Sequence, residues 1–188
     1  MKTLVTGGCI LAAICLAIGF ADAADLKTGF MGVQWASPAD HQEGLALLYE
    51  RENVIYYTQP NIVHTIHEIP VPNVVYGFYE DQFFAVYINL ESEDVFGEFR
   101  NYLRSQYGNP EKSFSAKTGE TVYKWKQDEV KIKLKTNEET YRMKLGFYYL
   151  PLSKKVNEEQ MEKFHSRSLQ FFPIKKGEKP EVVPLLRF

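Results

Sequence analysis

The sequence predicts an α+β domain: a mostly antiparallel sheet of about seven or eight strands packed by two or three helices. Strand-forming residues with short breaks fill residues 48–90. One amphipathic helix follows at residues 92–107, and lysine-rich strands with apolar alternation come after it. Hydrophobic residues make up 45% and aromatic residues 14% of the 188 residues, so a full core is expected rather than global disorder.

Residues 1–23 have the pattern of a secretory signal peptide. Lys2 supplies the positive start, an apolar run follows, and Ala21-Asp22-Ala23 places small residues where a signal peptidase cleaves. We predict a signal peptide over residues 1–23, one α+β domain over residues 24–172 and an extended or disordered tail over residues 173–188. An uncleaved membrane anchor is the alternative, although glycines dilute a run that is short for a bilayer span.

Both cysteines, Cys9 and Cys15, lie in the predicted signal peptide. The mature chain would therefore lack disulfides, thiol nucleophiles and thiolate metal sites. We expect a periplasmic or secreted protein whose mature chain has no transmembrane span and depends on its core for stability.

Three segments are predicted to be helical. The first starts at Ser37 and is short, because Gly44 interrupts it. Asn157 is predicted to cap the last one, as part of a capping box. The second is capped by Ser92, and its inner face consists of Val95, Phe96, Phe99, Leu103 and Tyr107.

The three strands after the second helix are predicted to share one apolar face. Turns at Gln127-Asp128 and Asn137-Glu138 would place Trp125 opposite Val130 and Ile132 opposite Met143. The two turns, predicted independently, agree on which face is the core. The other face then carries seven cations: Lys124, Lys126, Lys131, Lys133, Lys135, Arg142 and Lys144.

This cationic face has two interpretations. Seven cations on one face of a chain whose net charge is −2 are typical of a surface that binds an anionic envelope component or an acidic partner protein. Alternatively, the face is solvated, and its lysines discourage edge pairing. Nucleic acid is not an expected partner, because the predicted compartment excludes it. The predicted binding residues are Lys124, Lys131, Lys133, Arg142 and Lys144.

A second candidate surface is the aromatic hairpin around Glu80-Asp81. Both of its faces are predicted to be apolar, so one must be covered by a second layer or form an exposed aromatic patch. The residues predicted to share the binding face are Tyr76, Phe78, Phe83 and Tyr87.

No catalytic, metal-ligating or cofactor-binding constellation is predicted. His64 and His67 have a spacing that would hold a metal on a helix, but their neighbours favour a strand, where residues three apart face opposite sides. The sequence therefore favours a non-enzymatic binding or interaction module. The alternative is a metal-dependent or hydrolytic periplasmic enzyme that uses His64 or His67.

Four strings resemble a group of small exported proteins of Gram-negative bacteria. The resemblance covers about residues 28–150 and implies export. It carries over no functional residues, because no activity is attached to that group. The strings are Gly32-Val33-Gln34-Trp35, Tyr76-Gly77-Phe78-Tyr79-Glu80-Asp81-Gln82-Phe83, Leu103-Arg104-Ser105-Gln106-Tyr107-Gly108-Asn109-Pro110 and Tyr123-Lys124-Trp125.

Overall fold

A computed structural model of the chain describes residues 26–60, 62–71 and 74–171, with side chains described through residue 161. The predicted signal peptide, residues 1–23, and the predicted tail, residues 173–188, lie outside these ranges. Both therefore stay predictions.

The α+β class and the mostly antiparallel sheet are confirmed. The elements are β1 Gly29–Phe30, β2 Val33–Gln34, β3 Ala46–Arg51, β4 Val54–Thr58, β5 His64–Ile66, β6 Ile69–Val71, β7 Val74–Tyr79, β8 Gln82–Leu90, α1 Glu93–Tyr107, β9 Glu111–Ser115, β10 Glu120–Gln127, β11 Val130–Asn137, β12 Arg142–Tyr149 and α2 Leu150–Phe171. The main sheet has eight strands in the order β3-β4-β7-β8-β12-β11-β10-β9, and every neighbouring pair is antiparallel. Two further two-stranded sheets, β1-β2 and β5-β6, and the two α-helices complete the described chain.

Helix α1 follows the sequence prediction. Ser92 Oγ accepts a hydrogen bond of 3.2 Å from the Val95 N–H, which satisfies one donor of the first turn. Gly108 ends the helix with φ 78°, a conformation that glycine adopts without steric cost. The side chains that α1 buries against the sheet are Phe96, Phe99 and Leu103.

The apolar face of β10, β11 and β12 is confirmed, but the predicted turns are wrong. The first turn is Asp128-Glu129, so Ile132 rather than Val130 lies opposite Trp125. The second loop spans residues 138–141, and in it Asn137 Oδ1 accepts hydrogen bonds from the N–H groups of Glu139 and Thr140. Both errors shift the register by an even number of residues, which leaves every side chain on its predicted face.

The other two predicted helix starts are corrected. Only a single 3-10 turn, Ala39–His41, forms near Ser37, whose hydroxyl donates backward to the Gln34 carbonyl at 2.7 Å. Helix α2 begins at Leu150, directly after β12, and the Leu150 N–H donates to the Glu129 carbonyl at 2.7 Å. Asn157 therefore lies within the helix, where its side-chain amide donates to the Ser153 carbonyl.

A β-bulge changes the faces of the aromatic hairpin. Phe78 pairs with Phe83 and Gly77 with Ala85, which leaves Phe84 as the extra residue. The N–H and C=O of Phe83 instead bond to backbone at residues 36 and 37, both at 2.9 Å. The prediction that Tyr87 shares a face with Tyr76, Phe78 and Phe83 is therefore wrong: Tyr87 lies on the opposite face.

The two faces of the main sheet are covered differently. Helix α1 and the two small sheets bury one face, here called the core face, whose cluster runs from Tyr76 on β7 to Trp125 on β10. Helix α2 covers part of the other face, packing Leu152 and Val156 against Phe84 and Ala85. Among the described helices, none is long and apolar enough to cross a lipid bilayer.

Gly97 lies in the interior of α1 with open space beside its Cα. A Cβ built at Gly97 meets no heavy atom within 4 Å. Because glycine destabilises a helix interior by about 0.5–1 kcal/mol relative to alanine, Gly97→Ala should raise the free energy of unfolding by about that amount in urea titrations. The contrasting variant is Phe99→Ala on the buried side, which should lower it by about 3–5 kcal/mol. A destabilised Gly97→Ala protein would contradict the open surroundings.

Candidate functional site

The structure places all seven predicted cations on the sheet face opposite the core. On β11 the lysines alternate with the buried residues Val130, Ile132 and Leu134. We call this surface the cationic face; its members are Lys124, Lys126, Lys131, Lys133, Lys135, Arg142 and Lys144.

Two of these cations have acidic partners on the same face. Lys124 Nζ lies 3.2 Å from Glu111, and Lys135 Nζ lies 3.1 Å from Glu120. Within the part of the chain whose side chains are described, no carboxylate forms an ion pair with Lys131, Lys133, Arg142 or Lys144. Of the five predicted binding residues, Lys124 is therefore the least available to bind an external anion. The charges of the other four are not offset by a described carboxylate.

Lys133 lies at the centre of the cationic face. It stands directly opposite Lys124 in the sheet, and its Nζ lies 4.9 Å from the centre of the Tyr148 ring. Burial holds the pKa of the Lys133 ammonium below its ordinary value, and the charges of Lys131, Lys135 and Lys124 lower it further. Such an ammonium is stabilised by any anion that replaces its lost water.

A row of tyrosines crosses the same face toward the β3 edge. Ring centres are 4.4 Å apart between Tyr49 and Tyr56, 5.9 Å between Tyr56 and Tyr87, and 5.6 Å between Tyr87 and Tyr148. Burial raises the pKa of Tyr148 to about 12, and burial likewise raises the pKa values of Tyr56 and Tyr87. These hydroxyls therefore remain protonated and able to donate hydrogen bonds at neutral pH.

Glycines make room for this row. A Cβ at Gly146 would lie 2.7 Å from the Tyr148 hydroxyl oxygen, so the Tyr148 ring lies across a position that has no side chain. A Cβ at Gly77 would meet the rings of Phe84 and Tyr87 at 3.2 and 3.3 Å. The tyrosines can therefore lie against the sheet rather than project from it.

Two adjoining depressions lie on this face. The first, the helix-side cavity, has a volume of about 240 Å³ and lies between the sheet and α2. The second, the open groove, has a volume of about 430 Å³ and is lined by Arg142, Lys144 and the Lys135–Glu120 pair. They share Tyr87, Lys133 and Tyr148. The polar side chains of the helix-side cavity are Arg51, Tyr56, Tyr87, Lys131, Lys133, Tyr148, Ser153, Lys154, Asn157 and Gln160.

Three predicted site residues lie elsewhere. Tyr76, Phe78 and Phe83 are 1%, 0% and 0% exposed in the core, so they cannot form a surface patch. These three side chains lie on the core face, where the Trp35 ring stacks on Phe83 with centres 4.6 Å apart, and the bulge at Phe84 turns only Tyr87 to the other face. Tyr87 alone of the predicted aromatic set contributes to the cationic face.

The two candidate metal-binding histidines have different surroundings. His64 Nε2 lies 2.9 Å from Gln59 Oε1 and 3.2 Å from the Tyr76 hydroxyl. The His67 ring stacks on Tyr102 with centres 4.8 Å apart. Over residues 26–60, 62–71 and 74–161, no group of three metal-ligating side chains comes together.

Sequence reasoning missed the far side of the helix-side cavity. Arg51 ends a strand that carries no other cation, and Lys154 precedes the predicted start of the last helix, so neither was connected with the lysine strands. Tyr148 could have been found, because it lies an even number of residues after Arg142 and Lys144 and so shares their face.

Salt should raise the free energy of unfolding by weakening the repulsion within the cationic face. Raising NaCl from about 10 mM to about 1 M shortens the Debye length from about 30 Å to about 3 Å and screens repulsion among the lysines. Lys131→Gln/Lys133→Gln should therefore gain less stability from salt than the wild type, by about 0.2–1 kcal/mol in urea titrations. Lys117→Gln/Lys155→Gln is the charge-matched control. An equal salt response in all three proteins would refute this electrostatic picture.

Acidification should destabilise the protein through His64. Burial lowers the His64 pKa from its ordinary 6.5, so the unfolded chain binds this proton more readily than the folded one. The free energy of unfolding should thus fall as the pH drops below about 7.5, and it should level off below the folded pKa. His64→Gln should lose this part of the decline, as measured in urea titrations across this pH range. If the free energies of unfolding of the two proteins show the same pH dependence, His64 is not the cause of this decline.

Comparison of the chain with protein-family models, curated proteins and solved structures found no match. The resemblance to small exported proteins of Gram-negative bacteria thus stays a prediction.

Proposed function

We propose that this chain is a non-enzymatic binding module of the periplasm that holds an anionic component of the cell envelope on its cationic face. The observation that carries the proposal is the grouping of Lys131, Lys133, Arg142 and Lys144 without carboxylate partners among the described side chains. Opposed cations destabilise a sheet, and an anion that binds between them removes that cost.

The surroundings of these cations support binding over simple solvation. A solvated lysine extends its ammonium into water, whereas Lys133 is half-buried above the Tyr148 ring and lines both depressions. Protonated tyrosine hydroxyls beside it supply neutral donors, which anions accept in place of water. The site therefore offers charge for affinity and fixed donors for orientation.

The partner is expected to be extended rather than a single small ion. The helix-side cavity and the open groove adjoin, and the cations of the groove, Arg142 and Lys144, are exposed. A polyanionic glycan or a membrane rich in anionic headgroups presents several charges at once and can contact both. The predicted export of the chain supports an envelope location.

Replacing the four unpaired cations tests this function. Lys131, Lys133, Arg142 and Lys144 are all changed to Gln, and binding is measured to anionic phospholipid vesicles and to an acidic polysaccharide. Because each cation near an anionic surface contributes about 1 kcal/mol, the affinity should fall by more than about tenfold at low salt. The wild-type affinity should also decline steeply with salt, and the decline should be shallower in the variant.

The matched control removes four cations outside the cationic face: Arg100, Arg104, Lys117 and Lys155, again as Gln. It has the same net charge as the test variant, so general electrostatic attraction is held equal. Equal losses in both variants, or retention of full binding by the test variant, would refute the proposal.

A further inference from the structure

Building on the anion-binding function above, we propose that the helix-side cavity is a binding site for a phosphomonoester group. The floor of the cavity is the sheet, from Tyr56 on β4 through Tyr87 and Tyr148 to Lys131 and Lys133 on β11. Its roof is α2, which contributes Ser153, Lys154, Asn157 and Gln160. A group held there would be contacted from both sides.

The charge of the lining matches a dianion better than a monoanion. The cavity is lined by four cations, Arg51, Lys131, Lys133 and Lys154, and by no described aspartate or glutamate. They come from β3, β11 and α2, so their charges converge on the cavity from different directions. A single carboxylate offsets one charge, whereas a phosphomonoester carries about two at neutral pH.

The hydrogen-bonding groups of the lining are mostly donors. The ammonium and guanidinium groups donate only, and the tyrosine hydroxyls and the side-chain amides of Asn157 and Gln160 add further donors. Phosphate oxygens are strong acceptors that point in three directions, which suits donors placed on both floor and roof. A planar carboxylate would leave the donors of one side without a partner.

The size of the cavity limits what can enter. A volume of about 240 Å³ is below the range of about 300–1,000 Å³ that is typical for whole small-molecule ligands. Only a terminal group is therefore expected inside, and the rest of the molecule would continue past Lys133 into the open groove. The shared residues Tyr87, Lys133 and Tyr148 mark this passage.

The first test separates the two depressions with soluble probes. Inorganic phosphate and glycerol 3-phosphate are titrated calorimetrically, at low ionic strength, into the mature wild-type chain, Arg51→Gln/Lys154→Gln and Arg142→Gln/Lys144→Gln. The two variants have equal net charge, and all four replaced side chains are exposed, so both should fold. The cavity pair should lose about tenfold or more in affinity through its charge-assisted hydrogen bonds, and the groove pair much less.

The second test identifies the source of the phosphomonoester. Vesicles containing phosphatidic acid present this group on a lipid, whereas phosphatidylglycerol vesicles present a phosphodiester. Preferential retention on phosphatidic acid that is lost in Arg51→Gln/Lys154→Gln supports a lipid source. Binding of glycerol 3-phosphate without any vesicle preference supports a soluble phosphate ester; either result supports the site.

Two results would overturn the inference. Absence of phosphate binding in the wild type, with vesicle or polysaccharide binding that still depends on Arg142 and Lys144, removes the phosphomonoester site and leaves the proposed function intact. Equal loss of phosphate affinity in both pairs also removes the assignment to the cavity. If neither phosphate nor any polyanion binds, both proposals fall together.

Discussion

The alternation of side chains along β10, β11 and β12 determines the rest of this structure. Val130, Ile132 and Leu134 are fully buried, so the residues between them must face the other way. Burial of one face by α1 thus gathers the lysines on the other, where helix α2 can cover only part of them. The apolar core and the cationic face are two results of one alternating pattern.

The fold could be predicted from sequence where local chemistry decides it. The α1 boundaries follow from Ser92 and Gly108, because a capping hydroxyl and a glycine with positive φ act within a few residues. The faces of β10, β11 and β12 were predicted correctly although both predicted turns were wrong, because each error shifted the strand register by an even number of residues. A bulge shifts the register by one residue, and for that reason the predicted face was wrong beyond Phe84. The backbone groups that bond to Phe83 at this bulge belong to residues 36 and 37, which are distant in the sequence.

The candidate site could be predicted only in part, for a related reason. Lys131, Lys133, Arg142 and Lys144 lie on adjacent strands, so a register argument brings them together. Arg51 lies on β3, which four strands separate from β11, and Lys154 lies on a helix, yet both line the helix-side cavity with Lys131 and Lys133. No pattern among neighbouring residues of the sequence predicts that side chains from these separate elements line one cavity. The row of tyrosines was missed as well, because its members lie on four different strands, with Gly77 and Gly146 beside them, rather than along one strand.

Strand β12 continues into α2 with no connecting residue, as Tyr149 ends the one and Leu150 begins the other. Leu152 and Val156 then hold the helix against the sheet, and the Tyr79 hydroxyl donates to the Glu159 carboxylate one turn further on. The roof of the helix-side cavity is therefore joined directly to β12, whose Tyr148 forms part of the floor, and it is also held against β7 and β8. An incoming anion would meet a receptor that is already assembled, so little of its affinity would be lost to ordering the chain.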